Sequence, residues 1–331
     1  MNYIGSKHRL TKFITETIVS VVGDISELVF CDLFAGTGII GRAFKSKAKK
    51  IISNDLEKYS YVLVRNYIGN YKNIYTQKYI NELNLIEGRA GLIYNNYCLG
   101  SGSGRQYFTD DNGQKIDAVR QEIEQWFINK RITEDEYYFL LASLIESADK
   151  IANTASVYAA FLKHIKKAAR ADFKLMPATF LPTKNSHDIY NEYANKLINK
   201  ISGDILYLDP PYNCRQYGNY YHILNTITEY QDILPTGITG MREYNISPYC
   251  KKNQIEAAFT ELITRAKFKY IFLSYNNEGL MSAETIAEIM EKHGSYKLAT
   301  QKHKRYKADK GRSYKAKETL EYLHILEKHN S

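Results

Sequence analysis

Apolar residues at Leu10, Phe13, Ile14, Ile18 and Val21 recur every third or fourth position, which predicts a helix over residues 8–22. The pattern then changes. LVFCDLFAGTGIIGRAF, residues 28–44, reads as a buried strand, a glycine turn and a second helix. IISND at 51–55 is another short strand ending on polar residues, and LEKYSYVLVRNYI after it returns to helical spacing. A strand-helix-strand-helix start predicts a mostly parallel sheet covered by helices.

Residues 86–180 break that rhythm. LGSGSGRQYF is a glycine and serine loop, and IDAVRQEIEQWFI is an amphipathic helix. TEDEYYFLLASLIESADKIA opens with Thr133 and Glu136, the spacing of a capping box, and continues at helical period. The sheet resumes at ILYLDPP (205–211), KYIFLSYNN (269–277) and LEYLHILEK (320–328). The expected fold class is α/β: residues 1–85 and 181–331 form a core with helices on both faces of the sheet, and residues 86–180 form a mainly helical insertion.

Composition narrows the partners. A chain of 331 residues with a formal charge of +9 favours an anionic partner, nucleic acid ahead of a membrane surface. Cysteines 31, 98, 214 and 250 are scattered and form no ligand cluster, so neither a disulfide framework nor a metal site is expected. No apolar run approaches the roughly 18 residues of a membrane span, and a cytoplasmic location is expected. The 29 tyrosines suggest base-stacking surfaces, but an A/T-biased genome yields the same enrichment, so only those inside motifs count.

Asp32-Leu33-Phe34-Ala35-Gly36-Thr37-Gly38 follows a strand and opens a helix, where glycines let a backbone approach a ligand and free amides favour polar groups. Asp55 ends the second strand, the place from which a carboxylate accepts hydrogen bonds from both ribose hydroxyls. Together they suggest an adenosine-bearing ligand. Asp209-Pro210-Pro211-Tyr212 ends a later strand on the same carboxyl edge. Two prolines fix φ and withhold two amides, so the carbonyls of Asp209 and Pro210 can face a ligand on a stiff support. The set suits an exocyclic amine, held by the Asp209 carboxylate and the Pro210 carbonyl and stacked on Tyr212, with its lone pair aimed at an electrophilic methyl group.

MNYIGSKHRL, DLFAGTG, Asp55 and DPPY, in that order, resemble the D-twelve class of N6-adenine DNA methyltransferases. NCRQYGNYYHILNTI after DPPY, YFLLASLIESADKIANTASVYAAFLK in the insertion and FLSYNNEGL near 272 resemble the methyltransferases of type IIS restriction-modification systems. The resemblance spans nearly the whole chain. It implies a Rossmann-like sheet, S-adenosyl-L-methionine as cofactor, and transfer of its methyl group to N6 of an adenine flipped out of double-stranded DNA.

Residue by residue, Tyr3, Ser6 and Lys7 match the N-terminal motif that closes over the cofactor. Asp32, Phe34, Ala35 and Gly36 match the cofactor turn, and Asp55 the ribose acid. Asp209, Pro210 and Tyr212 match the catalytic motif, with Asp209 also near the cofactor's methionine end. Where related sequences carry an acid for the cofactor adenine, this chain reads Asn191-Glu192-Tyr193-Ala194, so Asn191 or Asp188 supplies that contact, or Tyr193 packs on the ring.

The resemblance sets Arg215, Gln216 and Tyr217 at the pocket mouth, toward phosphate or the gap left by the extruded base. Lys163, Lys166, Lys167 and Arg170 recur at helical spacing as a basic stripe, and KHKRYKADKGRSYKAK (302–317) is a second basic run. The competing readings are an RNA adenine or DNA cytosine-N4 methyltransferase and a non-catalytic DNA-binding subunit. Asp rather than Ser before PPY argues for adenine, and the intact motif set argues for catalysis. A monomer is expected; a cognate endonuclease or second methyltransferase leaves no trace in these residues.

Overall fold

A computed structural model describes residues 6–304 and 318–329. Its seven strands are β1 (Val29–Asp32), β2 (Lys50–Asn54), β3 (Asp188–Tyr190), β4 (Ser202–Leu208), β5 (Lys267–Asn276), β6 (Gly294–Lys304) and β7 (Glu318–Lys328). They lie in one sheet in the order β3-β2-β1-β4-β5-β7-β6. The first five are parallel, and β7 runs antiparallel to both of its neighbours. The architecture is a Rossmann-like α/β fold, with the strand order reversing beside β1, where such sheets bind ligands.

The chain divides into two compact units. The sheet unit comprises Lys7–Leu56, Asn185–Gln216 and the chain from Ile246 onward. Its helices are α1 (Thr11–Val22), α2 (Ile39–Phe44), α8 (Ala194–Leu197), α11 (Ile255–Arg265) and α12 (Ala283–Glu291), numbered along the chain. Period-two alternation feeds both faces of the sheet. Leu206, Leu208, Ile271 and Leu273 pack with Leu197, Phe259, Leu262 and Ile286 on one face. On the other, Tyr207 lies beside Phe30, which stacks on Phe44 of α2 with ring centroids 4.4 Å apart.

The helical unit comprises Ser6, Glu57–Lys184 and Tyr217–Asn245. It holds α3 (Lys58–Val64), α4 (Gln77–Leu85), α5 (Leu92–Tyr97), α6 (Asp110–Ile128), α7 (Glu134–Ile151), α9 (Tyr217–Tyr220) and α10 (His222–Glu229). The division thus falls at 57 and 184 rather than at 86 and 180, and 217–245 joins it because Ile223, Leu224 and Ile227 of α10 enter its core. The capping box is formed: the Thr133 hydroxyl accepts from the Glu136 amide while the Glu136 carboxylate accepts from Thr133 N–H at 2.8 Å. Among the described residues, no helix is long and apolar enough to cross a membrane.

Two expectations need correction or fall elsewhere. Lys163–Arg170 is not a helical stripe: helix α7 ends at Ile151, and only a short 3-10 turn forms at Lys167–Arg170. There Lys163, Lys167 and Arg170 are exposed, but Lys166 turns inward and donates from Nζ to the Thr154 carbonyl at 2.7 Å. The second basic run lies almost wholly outside the described residues, as does Tyr3.

Candidate active site

The glycine turn is built where β1 stops. Leu33 N–H donates to the Tyr207 carbonyl at 3.2 Å and Ala35 N–H to that of Asn54 at 2.9 Å, which ties the turn to both neighbouring strands. Gly36 and Gly38 then take φ of +54° and +72°, a region open to glycine at little cost. Residues 36–41, GTGIIG, have the G-x-G-x-x-G spacing, which overlaps the FAGTG turn and runs past it into α2. The third of these glycines, Gly41, donates its amide to Asp32 Oδ2 at 3.0 Å, so strand end and helix start are locked together.

Asp32 is 1 % exposed, and among the described residues its Oδ1 has no hydrogen-bond partner. Burial drives its pKa up to about 8, against the pull of the Gly41 amide, and the nearby Asp209 and Asp55 add like charge. An orphaned buried carboxylate oxygen at the mouth of a glycine turn is an acceptor awaiting a donor. Asp55 lies across the turn, where its Oδ2 accepts the Gly36 amide at 2.8 Å.

Asn191 acts behind Asp55. Its side-chain amide donates to the carbonyls of Asp55 (2.8 Å) and Leu56 (3.0 Å) and so sets the backbone that carries the acid. Of the alternatives for that role, Asp188 pairs with Lys50 at 2.7 Å and Tyr193 is largely exposed. Asn54, which no sequence motif marks, bridges the Leu33 and Glu192 carbonyls at 3.1 Å each and fixes the 190s segment against the turn. Phe34 meets the buried Tyr249 edge to face, centroids 5.0 Å apart.

At the end of β4, Pro210 is buried while Asp209 and Tyr212 are partly accessible. The Tyr212 hydroxyl donates to Asp209 Oδ1 at 2.6 Å, and burial with the Asp209 charge holds its own proton on well above the usual phenol range. Its ring abuts Tyr275, centroids 4.9 Å apart, and its carbonyl accepts the Leu280 amide at 3.0 Å. Gly279 is needed there, because a Cβ would come within 2.1 Å of the Tyr275 ring.

Lys7 completes the cluster. It is buried, its Nζ lies 2.9 Å from Asp209 Oδ1 and 4.5 Å from the centroid of the Tyr212 ring, and it donates to the Tyr212 hydroxyl. An isolated lysine is ordinarily solvated, so burial marks this one as a member of the site. Glu321, which no motif flagged, joins from β7, whose start reaches the carboxyl edge because that strand is antiparallel. Burial raises its pKa; Lys7 opposes the shift and Asp209 reinforces it. An acid inside the apolar LEYLHILEK run was the available signal.

The residues after DPPY divide. Arg215 is exposed, its N–H bound to Asn213 Oδ1 at 3.0 Å. Gln216 clamps the Ser247 backbone from both sides, accepting its N–H at 2.9 Å and donating to its carbonyl at 3.3 Å. Tyr217 opens α9 and stacks on Tyr221 at 6.2 Å. Ser6 is exposed.

The sequence pattern of D12 class N6 adenine-specific DNA methyltransferases matches residues 3–289. The chain is 56 % identical to the type II methyltransferase M.NlaIII of Neisseria lactamica, over 99 % of each protein. It is 36 % identical to the type II methyltransferase M.CviAII of Paramecium bursaria Chlorella virus 1, over 93 % of each. Identity to the type II methyltransferase M.FokI of Planomicrobium okeanokoites is 37 %, over 99 % of this chain and 53 % of that longer protein. With its sheet, glycine turn and DPPY edge in place, the chain belongs to the D12 class of N6 adenine-specific DNA methyltransferases.

Proposed function

We propose that the carboxyl edge of β1, β2 and β4 binds S-adenosyl-L-methionine and presents it to an adenine extruded from double-stranded DNA, as the modification enzyme of a restriction system in the cell's cytoplasm. The residues present fit that cofactor. The orphaned Asp32 Oδ1 suits the ammonium of a methionine moiety, Asp55 suits ribose hydroxyls, and Phe34 with Ala35 and Gly36 forms the floor between them. When bound, the cofactor supplies an electrophilic methyl group on a sulfonium.

The protein's part is to hold an amine. One observation carries this reading: the pocket formed by Asp209 and Tyr212 already accepts a nitrogen donor, the Lys7 ammonium, against the carboxylate and over the ring. An adenine amino group entering there displaces Lys7, donates to Asp209 and to the Pro210 carbonyl, and stacks on Tyr212. Asp209 then stabilises the positive charge that grows on nitrogen as the new bond forms. The base has to leave the duplex stack to reach the pocket.

Arg215, with Lys163, Lys167 and Arg170 of the helical unit, supplies exposed cations for phosphate. The test is transfer of labelled methyl to duplex DNA followed by nucleoside analysis. N6-methyladenine is the expected product; N4-methylcytosine alone, or no product on any duplex, overturns the proposal.

A further inference from the structure

Glu321, in the sheet unit, is a buried acid to which the chemistry above gives no task. It is 9 % exposed and stands near the start of β7, opposite Asn276 of β5 on one side and Gln301 of β6 on the other. Those amides can hydrogen-bond a carboxylate but bring it no opposite charge. A carboxylate buried among neutral groups is costly, so its position calls for a cation.

The cation lies toward the DPPY edge. Tyr207 Oη donates to Ser274 Oγ at 2.9 Å, which puts Ser274 on the face of the sheet that carries Tyr207, and by the two-residue period of a strand Asn276 shares that face. Asn276 hydrogen-bonds the Glu321 carboxyl, so the acid points to the same side. Only the short side chains of Ser274 and Asn276 rise from the end of β5 between Glu321 and the strand that carries Asp209. Lys7 acts across this lane: burial raises the Glu321 pKa, the Lys7 charge opposes the rise and Asp209 reinforces it. Burial, Asp209 and Glu321 together hold the proton on Tyr212. Two acids thus share the field of one lysine, and in the resting protein the lysine is with Asp209, at 2.9 Å.

That pairing ends when a substrate amine arrives. Asp209 is the group the amine needs, and Lys7, 4 % exposed, has little water to turn to. An ammonium stripped of its carboxylate inside a protein strongly opposes entry of the amine unless another acid receives it. The lysine stem is long and flexible, so its head can change partner by side-chain rotation alone.

We infer that Glu321 is a positioning residue that takes over the Lys7 ammonium when the substrate amine claims Asp209. This rests on the reading that an adenine amino group enters the pocket of Asp209 and Tyr212, and it names what that entry requires. The net charge of the pocket is unchanged by the exchange: a neutral amine comes in, and the ammonium trades one carboxylate for another. The Tyr212 ring is freed for stacking as well, because Lys7 leaves its place 4.5 Å from the ring centroid.

The experiment measures methyl transfer to a duplex that the wild type methylates, for the wild type, Glu321→Gln, Glu321→Asp, Lys7→Met and the Lys7→Met/Glu321→Gln double variant. Glu321→Gln is expected to lower kcat/KM by about 10-fold or more, and Glu321→Asp, which keeps the charge, to recover most of that loss. In the Lys7→Met background the Gln substitution should cost no more than about twofold, because no ammonium remains to be received. A second measurement needs no turnover and decides the matter where Lys7→Met is too slow to assay. Glu321→Gln should weaken binding to the same duplex with its target adenine mismatched, yet leave binding unchanged when the target is an abasic site, where no amine displaces Lys7. No loss in the Gln variant, a loss independent of Lys7 or of the target amine, or a Gln variant that does not fold overturns the exchange. If the wild type makes no N6-methyladenine on any duplex, the adenine reading itself fails, and that is seen before any variant is compared.

Discussion

Lys7 and Asp209 are far apart in the chain, yet Nζ and Oδ1 stand 2.9 Å from each other, with Lys7 buried and Asp209 partly accessible. Removing either partner leaves the other charge desolvated. Lys7→Met, Asp209→Asn and the double variant should therefore give a coupling of about 1–3 kcal/mol in denaturant unfolding. Additive effects would mean that the pair contributes nothing to the fold.

On the proposed mechanism Asp209 is needed after binding rather than for it. Asp209→Ala should lower the methyl-transfer rate by about 100-fold or more, the scale of losing one transition-state acceptor, while DNA affinity changes little. Wild-type activity in that variant would remove Asp209 from the chemistry.

Asp32 makes the cofactor-free protein sensitive to pH. Its folded pKa is raised to about 8 from an ordinary 3.8, so between those values the folded state keeps a proton that the unfolded chain releases. Stability from this group is full below about pH 4, falls as pH rises toward 8 and is flat beyond. Urea unfolding at pH 5 and pH 8 should show the drop in the wild type and a smaller one in Asp32→Asn; identical slopes would place the titration elsewhere.

The basic residues of the helical unit should behave as two classes. Replacing exposed Lys163, Lys167 and Arg170 by Ala should reduce the salt slope of DNA binding by about 0.9 for each phosphate that is no longer neutralised. Lys166→Ala should instead cost about 1 kcal/mol of stability, since its ammonium serves the Thr154 carbonyl. A salt slope that shifts only with Lys166 would reverse this assignment.

Much of this site is legible in the residues because its parts are short and local. The strand-turn-helix around Asp32, the acid at the end of β2 and the DPPY edge each announce themselves by a change of period beside glycine or proline. Contacts made at long range are not written that way. Lys7 is picked out by its motif, but its ion pair with Asp209 is seen only in the fold, as is the hold of the Gln216 amide on Ser247. Strand β3 is three residues, too short for any period, and β6 is largely polar because it is an edge strand. Lys163 to Arg170 keep helical spacing without a helix, since the inward hydrogen bonds of Asn153 and Lys166 hold that segment in irregular backbone.

Strand β4, which carries the DPPY edge, fits between β1 and β5, and the Val29 amide meets the Asp204 carboxylate across 175 residues. On a ribosome adding roughly 5–20 residues per second, β1 and β2 wait on the order of ten seconds or more for the strand that fills the space beside them. The whole 57–184 block is made during that wait, with a hydrophobic core of its own to collapse upon. Closure of the sheet is thus a late, long-range event, and a chain released before it carries the glycine turn after β1 without Asp209 beside it. Truncation ahead of β4 therefore removes the DPPY edge and the partner of Lys7 together, while the 57–184 block keeps most of its own core.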